Sequence, residues 1–248
     1  MAEKGLAVSR AKAQEMLKAG DVLVDGIPVE KPSFEVSPEM TVSVNENPLQ
    51  RYVGRGGLKL EAALDAFGLS PFGQIALDVG ASSGGFTDCL LRRGASFVYA
   101  VDAGTGQLHP SLLADARVCS MENTNARTLK ASFFDKTPTF AVMDVSFISQ
   151  TLILPALLSS MTKGGVLVSL IKPQFELGRD ALTKKGIVKS EKLAKTAEAR
   201  VCDYARSIGF RLIGSIPSPI RGGDGNLEFL AAFALPQSPH VKEGETNG

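Results

Sequence analysis

From residue 75 to residue 235, short apolar runs alternate with segments of helical patterning, and this alternation constrains the fold more than any other feature. Nearly continuous apolar strands separated by helices are typical of a parallel sheet that is covered on both faces. FTDCLLRRG, SEKLAKTAEARVCDYARSIG and, before the first run, LKLEAALDAFG have the patterning of covering helices. We therefore predict an α/β fold with strands at 75–79, 97–102, 118–121, 140–145, 166–171, 210–216 and 228–235.

The first fifty residues have a different pattern. SRAKAQEMLKAG predicts a short helix with Ser9 as its N-cap and Gly20 as its C-cap. DVLVDGIPVEKPSFEV alternates apolar and polar residues around Asp25-Gly26, which predicts a tight hairpin. Together they indicate a small α+β module, and the polar NENPLQ indicates a linker. The predicted organisation is a module at 1–48, a linker at 49–56, the α/β domain at 57–236 and a disordered tail at 237–248.

Composition excludes several classes of protein. The 248 residues carry a formal net charge of +1, so a nucleic-acid surface has to be a local basic patch. Three widely spaced cysteines, none in a C-x-x-C pair, argue against a disulfide framework or a zinc site, so we expect no metal and a cytoplasmic location. The runs TLILPALL and GGVLVSLI are too short to span a membrane and no signal-like leader opens the chain, so we expect no membrane association.

The stretch LDVGASSGGF follows the first predicted strand, at the position where open α/β sheets bind ligands. Its glycines allow the backbone to approach a ligand, and a helix that starts near Gly85 supplies free N–H groups. Gly80 and Gly84 are separated by three residues rather than spaced as G-x-G-x-x-G, which favours an adenosyl ligand over NAD. Asp102, after the second run, is placed to accept hydrogen bonds from ribose hydroxyls; alternatively, it caps the next loop.

Six strings, taken in order, carry a family resemblance. DVGASSGGFTD, VYAVDAGTGQL, MENTNAR, MDVSFIS, LIKPQFELGR and SPIRGGDGNLEFL closely resemble the TlyA-type ribosomal RNA methyltransferases, often labelled hemolysin A, whose catalytic half is related to the FtsJ ribose methyltransferases. The resemblance covers roughly residues 5–235. It implies a Rossmann-like, seven-stranded S-adenosylmethionine-dependent methyltransferase domain preceded by a small S4-like RNA-binding module. This agrees with the two-part organisation that the residue patterns predict.

The resemblance also implies the reaction, which is transfer of a methyl group from S-adenosylmethionine to a ribose 2′-hydroxyl of rRNA. Cytidines in assembled ribosomal subunits are the expected targets. A 2′-hydroxyl is a weak acid and a poor nucleophile, so it must be aligned with the donor while its developing charge is stabilised. Family members use a Lys-Asp-Lys-Glu set, and the matching positions are Lys59, Asp144, Lys172 and Glu228. We expect Lys172 to contact the 2′-oxygen, mainly as a cation, and the carboxylates to hold the lysines.

The predicted sheet places three of these residues. Asp144 follows the fourth run and Lys172 follows the fifth, so a parallel sheet brings both to its carboxyl edge. Glu228 begins the last run and reaches the same edge if that strand is antiparallel to its neighbours, as in this fold. The position of Lys59 rests on the resemblance alone. The alternative interpretation is that each charge is simply solvated at the end of a strand.

The predicted cofactor-binding residues lie in the ligand loop and after later runs. Asn123 and Asn125 follow the third run, where the adenine would bind, although ordinary turn asparagines explain them about as well. Ser82 and Ser83 are interpreted as loop donors rather than nucleophiles, because the chain has no G-x-S-x-G elbow and only two histidines. The full set is Asp78, Gly80, Ser82, Gly84, Gly85, Phe86, Thr87, Asp102, Asn123, Asn125 and Asp144.

Two basic patches are candidates for contact with RNA phosphates, which give affinity without reading sequence. The first patch combines Arg10, Lys12 and Lys18 with Arg51 and Arg55. The second patch is TKKGIVKSEKLAK, which a solvated helix face explains nearly as well. Arg55, beside Gly56-Gly57, is hypothesised to couple RNA docking to the ligand site. Family modules normally open with an arginine-containing helix ahead of the segment matching AEKGL, so we expect this module to be N-terminally incomplete. The predicted RNA-binding residues are Arg10, Lys12, Lys18, Arg51, Arg55, Lys184 and Lys185.

Two other classes of function remain as alternatives. A non-catalytic RNA-binding or ribosome-assembly factor would keep the fold and lack turnover. A membrane-active hemolysin is opposed by the missing apolar span and the missing strongly amphipathic basic helix. The sequence makes no prediction about oligomeric state.

Overall fold

The computed structural model describes residues 6–7, 10–18, 20–44 and 51–236. The chain divides into two compact units, Met1–Arg51 and Tyr52–Gly248. Ser9, the predicted helix N-cap, and the predicted tail at 237–248 lie outside the described residues.

The N-terminal unit contains a helix and a three-stranded antiparallel sheet in the order β2-β1-β3. Asp25 and Gly26 have φ values of 51° and 82°, as a tight two-residue hairpin turn requires. The predicted helix and hairpin are confirmed, and β3, which pairs with β1, is an additional strand. The elements are α1 (Arg10–Lys18), β1 (Val22–Val24), β2 (Ile27–Pro28) and β3 (Val42–Val44).

The C-terminal unit is a seven-stranded sheet covered by helices. Its strands are β4 (Ile75–Val79), β5 (Phe97–Val101), β6 (Val118–Met121), β7 (Phe140–Met143), β8 (Val166–Ile171), β9 (Arg211–Pro217) and β10 (Phe229–Ala234). Its helices are α2 (Gly56–Phe67), α3 (Gly85–Arg92), α4 (Pro110–Leu113), α5 (Leu154–Ser160), α6 (Pro173–Glu176) and α7 (Glu191–Ser207). Short 3₁₀ helices occupy Ala126–Thr128, Ala131–Phe133, Gln150–Leu152 and Arg179–Ala181. The predicted α/β fold is confirmed.

The strand order in the large sheet is β6-β5-β4-β7-β8-β10-β9. β4 pairs in parallel with β5 and β7, and the parallel pairing continues outward to β6 and β8. β10 is antiparallel to both of its neighbours, β8 and β9. The carboxyl ends of the parallel strands and the start of β10 therefore meet at one edge of the sheet, as expected for an antiparallel last strand.

The apolar strands are buried on both faces because helices cover each side. On one side, Leu60 and Leu64 of α2 and Leu90 of α3 pack with Ala76 of the first parallel strand. On the other side, helices α5 and α7 pack over Leu77, its neighbour in the sequence. Alternate residues of one strand thus enter two separate cores, which is why the strand sequences are apolar throughout rather than alternating.

Candidate active site

A cavity of about 400 Å³ opens at the carboxyl edge of the sheet, between the loops that follow β4, β5, β6 and β7. This is where open α/β sheets bind ligands, and the volume lies within the range of small-molecule sites. Five predicted cofactor-binding residues line the cavity, namely Gly80, Ser82, Asp102, Asn125 and Asp144. The loop after the first parallel strand therefore borders a cavity large enough for a small ligand.

Close backbone contacts explain the glycines of this loop. A Cβ atom at Gly80 would lie 2.3 Å from the carbonyl oxygen of Asp144, so only glycine allows the two loops to approach each other. Gly84 has a φ of 93° and is the N-cap of α3, and a Cβ there would lie 2.1 Å from the Leu112 side chain. The helix begins at Gly85, as the sequence predicts.

Asp102 connects two of the loops that form the cavity. Its Oδ2 accepts a hydrogen bond from the Ser82 N–H at 2.8 Å, and its Oδ1 accepts one from the Gly104 N–H at 2.7 Å. The carboxylate also lines the cavity. Each carboxylate oxygen has a second lone pair. Loop capping and ligand binding, which the sequence presents as alternatives, are therefore compatible.

Asp78 and Thr87 lie beneath the loop and are fully buried. The Thr87 hydroxyl donates to Oδ2 of Asp78 at 2.7 Å, while Oδ1 has no hydrogen-bond partner among the described residues. Burial raises the pKa of Asp78 from 3.8 to about 7; the Thr87 hydrogen bond opposes this rise, and the Asp144 and Asp102 carboxylates add to it. Neither residue reaches the cavity wall, and the same holds for the predicted cofactor-binding residues Gly84, Gly85, Phe86 and Asn123.

The two predicted adenine-pocket asparagines have different positions. Asn125 lines the cavity, and its Oδ1 accepts a hydrogen bond from the Arg127 N–H at 3.1 Å, which caps a 3₁₀ helix. Asn123 has a φ of 52°, and its N–H donates to the Gly104 carbonyl at 2.9 Å. Both asparagines thus have turn roles, and Asn125 also borders the ligand cavity.

Glu122 organises the cavity rim and was absent from the predicted site. Its carboxylate accepts hydrogen bonds from the N–H groups of Gly106 and Gln107 at 2.7 and 2.9 Å, and a longer one from Leu108 at 3.4 Å. These backbone hydrogen bonds hold the pKa of Glu122 below its usual value. Glu122 belongs to the string MENTNAR, but nothing in that string indicates that its partner is a loop fifteen residues upstream.

The four predicted catalytic residues form two ion pairs. Lys59 Nζ lies 2.5 Å from Glu228 Oε2, and both residues are buried. Lys172 Nζ lies 2.6 Å from Asp144 Oδ1 and donates a hydrogen bond to the Ser146 hydroxyl at 2.9 Å. Each lysine therefore has one carboxylate partner, and the second pair lies on the cavity side because Asp144 and Ser146 line the wall.

Sheet register brings these residues together. Ile171 of β8 pairs with Phe229 of β10, so Lys172 and Glu228 leave the same end of this antiparallel pair. Asp144 follows the last paired residue of β7, and its N–H donates to the Val79 carbonyl at 2.9 Å. The first turn of α2, which carries Lys59 on its buried face, abuts this edge, because a Cβ at Gly56 would lie 4.0 Å from Asp144 Oδ2.

Phe147 is an exposed aromatic residue at the cavity mouth that was absent from the predicted site. It lines the cavity, is 91% exposed, and has a φ of 63°, which is an unfavourable conformation for a bulky side chain. Its ring centroid lies 5.0 Å from that of Phe175, in the segment after Lys172. The string MDVSFIS contains this phenylalanine, but the sequence alone does not show that it faces solvent.

The predicted RNA-binding residues are spread over both units. Arg10 is exposed in the N-terminal unit, as is Arg51 at its end, and the side chains of Lys12 and Lys18 lie outside the described residues. Arg55 is exposed in the C-terminal unit, where a Cβ at Gly223 would lie 3.9 Å from its guanidinium. Lys184 and Lys185 are exposed on a small hairpin closed by the pairing of residues 182 and 188.

Among the described helices, none is long and apolar enough to cross a membrane. Across the same part of the chain, no group of three His, Cys, Asp or Glu side chains is arranged to hold a metal ion.

Comparison with known proteins defines the class of this chain. Residues 52–235 match the FtsJ-like methyltransferase family and residues 1–42 match the S4 domain. Hemolysin A of Brachyspira hyodysenteriae is 41% identical over 237 residues, which are 94% of this chain and 96% of that protein. The 16S/23S rRNA (cytidine-2′-O)-methyltransferase TlyA of Mycobacterium tuberculosis is 40% identical over 230 residues, 93% of this chain and 86% of that protein. The solved structure of a protein from Streptococcus thermophilus has 43% sequence identity to this chain and a TM-score of 0.77. The match covers 96% of this chain and 87% of that chain.

The C-terminal unit has a Rossmann-like methyltransferase fold, which follows an S4 domain in the chain. Its defining features are the seven-stranded sheet with an antiparallel β10 and the cavity beside the first parallel strand. The chain belongs to the FtsJ-like methyltransferase family, and within it to the group that includes TlyA and hemolysin A.

Proposed function

We propose that this protein is a ribosomal RNA methyltransferase that transfers a methyl group from S-adenosylmethionine to a ribose 2′-hydroxyl, with cytidine as the target nucleoside. The observation that carries the proposal is the Lys172–Asp144 ion pair on the cavity side, with the buried Lys59–Glu228 pair at the same edge of the sheet, in an FtsJ-like domain. Cytidine in rRNA is the target that the name of the M. tuberculosis relative states for that protein.

The cavity suits an adenosyl donor. Gly80 lines the wall and allows its loop to contact the Asp144 backbone, and Asp102 and Asn125 place polar side chains at the wall. We assign the ribose hydroxyls to Asp102, the adenine edge to Asn125 and the amino-acid end to the loop at Gly80 and Ser82. When bound, S-adenosylmethionine supplies an electrophilic methyl group on a sulfonium. The residues of this chain orient the donor and bring the acceptor oxygen to it.

Lys172 is proposed to contact the acceptor 2′-oxygen. Its ammonium is held by Asp144 and Ser146, so it stays at the cavity edge with a remaining N–H free to donate. As the new oxygen–methyl bond forms, the hydroxyl proton passes to water, and the charge that develops on the 2′-oxygen is stabilised by this fixed cation, which needs no rearrangement at the moment of reaction. The buried Lys59–Glu228 pair supports the same edge from the α2 side.

Phe147 is proposed to stack on the base of the target nucleotide. RNA is read mainly through unpaired bases that stack on aromatic side chains, and enzymes that modify a nucleotide within a helix extrude it first. The ring is exposed on the residue that follows Ser146, and it contacts the ring of Phe175, three residues after Lys172. A base held there would bring its own ribose close to the proposed acceptor site.

RNA binding is assigned to the S4 domain and to the exposed Lys184 and Lys185, with Arg10, Lys12, Lys18, Arg51 and Arg55 as further phosphate contacts. Contacts of this kind position the substrate without reading its sequence. In this assignment residues 1–48 form the RNA-binding module, and a linker connects them to the methyltransferase domain.

The direct test is methyl transfer from tritiated S-adenosylmethionine to ribosomal subunits that lack the modification, followed by mass spectrometry of the rRNA nucleosides. We expect label in 2′-O-methylcytidine with the intact protein and almost none with Lys172→Ala. Label in a base rather than a ribose would contradict the proposed acceptor. Subunit binding without transfer by the intact protein would favour the assembly-factor alternative.

The name of the Brachyspira relative, Hemolysin A, is the observation that favours a second candidate, membrane lysis. Release of haemoglobin from erythrocytes incubated with the purified protein tests it. Release that persists in Lys172→Ala would show an activity separate from methyl transfer.

A further inference from the structure

Glu176 joins the two segments that carry Asp144 and Lys172, two of the four proposed catalytic residues. Its carboxylate accepts a hydrogen bond from the Ser149 hydroxyl at 2.5 Å and one from the Gln150 N–H at 2.8 Å. Ser149 and Gln150 end the loop that begins at Asp144, whereas Glu176 ends the short helix that follows Lys172. The carboxylate thus bridges segments 26 and 27 residues apart in the chain.

The bridge extends into the sheet. Gln150 is 2% exposed, and its amide donates to the Leu170 carbonyl at 2.6 Å while accepting from the Ser169 hydroxyl at 2.7 Å. Leu170 and Ser169 are the second and third residues before Lys172 in β8. The β7 loop is therefore connected both to the strand that leads into Lys172 and, through Glu176, to the helix that leads out of it.

The bridge requires a side chain whose polar atoms only accept hydrogen bonds. Glu176 is 6% exposed, and both groups that reach its carboxylate are donors. Within the described residues, no lysine, arginine or histidine forms an ion pair with it. Arg200 contacts Glu176 through the backbone carbonyl instead, at 3.2 Å. A buried carboxylate without a cation is costly, so hydrogen bonds to both oxygens must offset the desolvation.

We infer that Glu176 is a positioning residue for methyl transfer, an inference that rests on the proposed function. The two loops that it joins carry Asp144, Ser146 and Phe147 on one side and Lys172 and Phe175 on the other. The unfavourable φ of Phe147 persists only if its surroundings fix it, and the bridge begins two residues later. Glu176 itself touches neither cavity wall nor ion pair, so it acts through the geometry of those loops.

The test compares Glu176→Gln with the intact protein. The carboxamide keeps the volume and one acceptor but loses the charge, so the bridge weakens while the fold is retained. We expect kcat to fall about 10- to 100-fold, with the dissociation constant for S-adenosylmethionine, measured by calorimetry, changed less than about twofold. Asp203→Asn, which changes an exposed carboxylate on α7 outside the proposed RNA-contact segments, is the matched control and should leave both quantities unchanged.

A second readout does not depend on catalysis. Hydrogen exchange without RNA should become faster in Glu176→Gln within residues 144–151 and 172–177, and remain unchanged in the β4 loop. Ser149→Ala, which removes one donor and keeps the carboxylate, should produce a smaller change in the same segments. Unchanged exchange and unchanged kcat, or uniform loosening of the whole domain, would overturn the inference. If the intact protein transfers no methyl group, the proposed function fails, and the exchange pattern still decides whether the bridge exists.

Discussion

Each proposed catalytic lysine has its own carboxylate, and the two pairs differ in exposure. The Lys59 and Glu228 side chains are 10% and 2% exposed, whereas those of Lys172 and Asp144 are 15% and 23% exposed. Removal of one member of a buried pair leaves an uncompensated charge, while a partly solvated pair loses less. The first pair should therefore matter for folding and reaction alike, and the second mainly for reaction.

Glu228→Gln and Asp144→Asn test this difference. We expect Glu228→Gln to lower the free energy of unfolding by about 3–5 kcal/mol, because Lys59 is left buried without its counter-ion. Asp144→Asn should lower it by about 1 kcal/mol or less while reducing kcat about 100-fold or more, because Lys172 is less well held. Urea unfolding and the methyl-transfer assay measure the two effects. Equal losses of stability in the two variants would contradict this division.

The raised pKa of Asp78 predicts a pH effect on stability. Burial favours the protonated Asp78 carboxyl in the folded protein, whereas in the unfolded chain the carboxyl ionises near its ordinary pKa of 3.8. The free energy of unfolding is therefore highest at low pH and falls as the pH rises from 3.8 to about 7, the pKa of the folded state. Asp78→Asn cannot ionise and lacks this loss. Between pH 4 and pH 8 the unfolding free energy of the intact protein should therefore fall by a few kcal/mol relative to Asp78→Asn. Parallel pH profiles of the two proteins in urea unfolding would disprove the assignment.

At the scale of elements, the hairpin that carries Lys184 and Lys185 is anchored by Asn226. This asparagine is 1% exposed; its Oδ1 accepts from the Val188 N–H at 2.9 Å, and its amide donates to the Gly186 carbonyl at 3.2 Å. It lies two residues before Glu228. The proposed RNA-contact hairpin and the start of β10 therefore share one buried amide.

Asn226→Ala should loosen this hairpin. It leaves the Val188 N–H and the Gly186 carbonyl without their partner, at a cost of about 1–3 kcal/mol for each group that stays buried. We expect KM for ribosomal subunits to rise about 5- to 20-fold with a smaller change in kcat, since the lysines lose their orientation. Asp224→Ala, an exposed residue of the same loop, is the control. A fall in kcat without a change in KM would assign Asn226 to the catalytic pairs instead.

The sheet could be predicted because each strand is a local apolar run between turn or helix signals. The positions of Asp144 and Lys172 followed from the direction of parallel strands, whereas that of Glu228 also needed the antiparallel last strand that the family resemblance implies. Tertiary partners could not be predicted in the same way, since Lys59 and Glu228 are 169 residues apart and Glu176 meets donors from a different loop. Strand β3 is a three-residue segment, too short for a period-2 pattern to identify.

For the whole molecule, a net charge of +1 means that RNA affinity depends on local clusters rather than on an overall positive field. The predicted clusters lie in two compact units, one matching the S4 domain and the other the FtsJ-like methyltransferase family. Salt should therefore weaken binding in proportion to the few phosphates that these clusters neutralise.

The double variant Lys184→Ala, Lys185→Ala tests this dependence. We expect the slope of log affinity against log salt to become shallower by about 1.4–1.8, if each lysine neutralises one phosphate. Lys163→Ala, an exposed lysine next to the start of β8, lies at the opposite edge of the sheet and should leave the slope unchanged. Filter binding to ribosomal subunits over a range of salt measures it. An unchanged slope in the double variant would remove the hairpin from the RNA surface.

The reversal of β10 has a consequence for biosynthesis. Because this strand lies between β8 and β9 in the sheet but follows both in the chain, the sheet cannot be completed until residues 229–234 have left the ribosome. Lys59 emerges early and meets its counter-ion 169 residues later. A nascent chain that stops before β10 therefore lacks the proposed catalytic pair Lys59–Glu228, and a protein that we propose modifies ribosomes gains this pair only after β10 has been made.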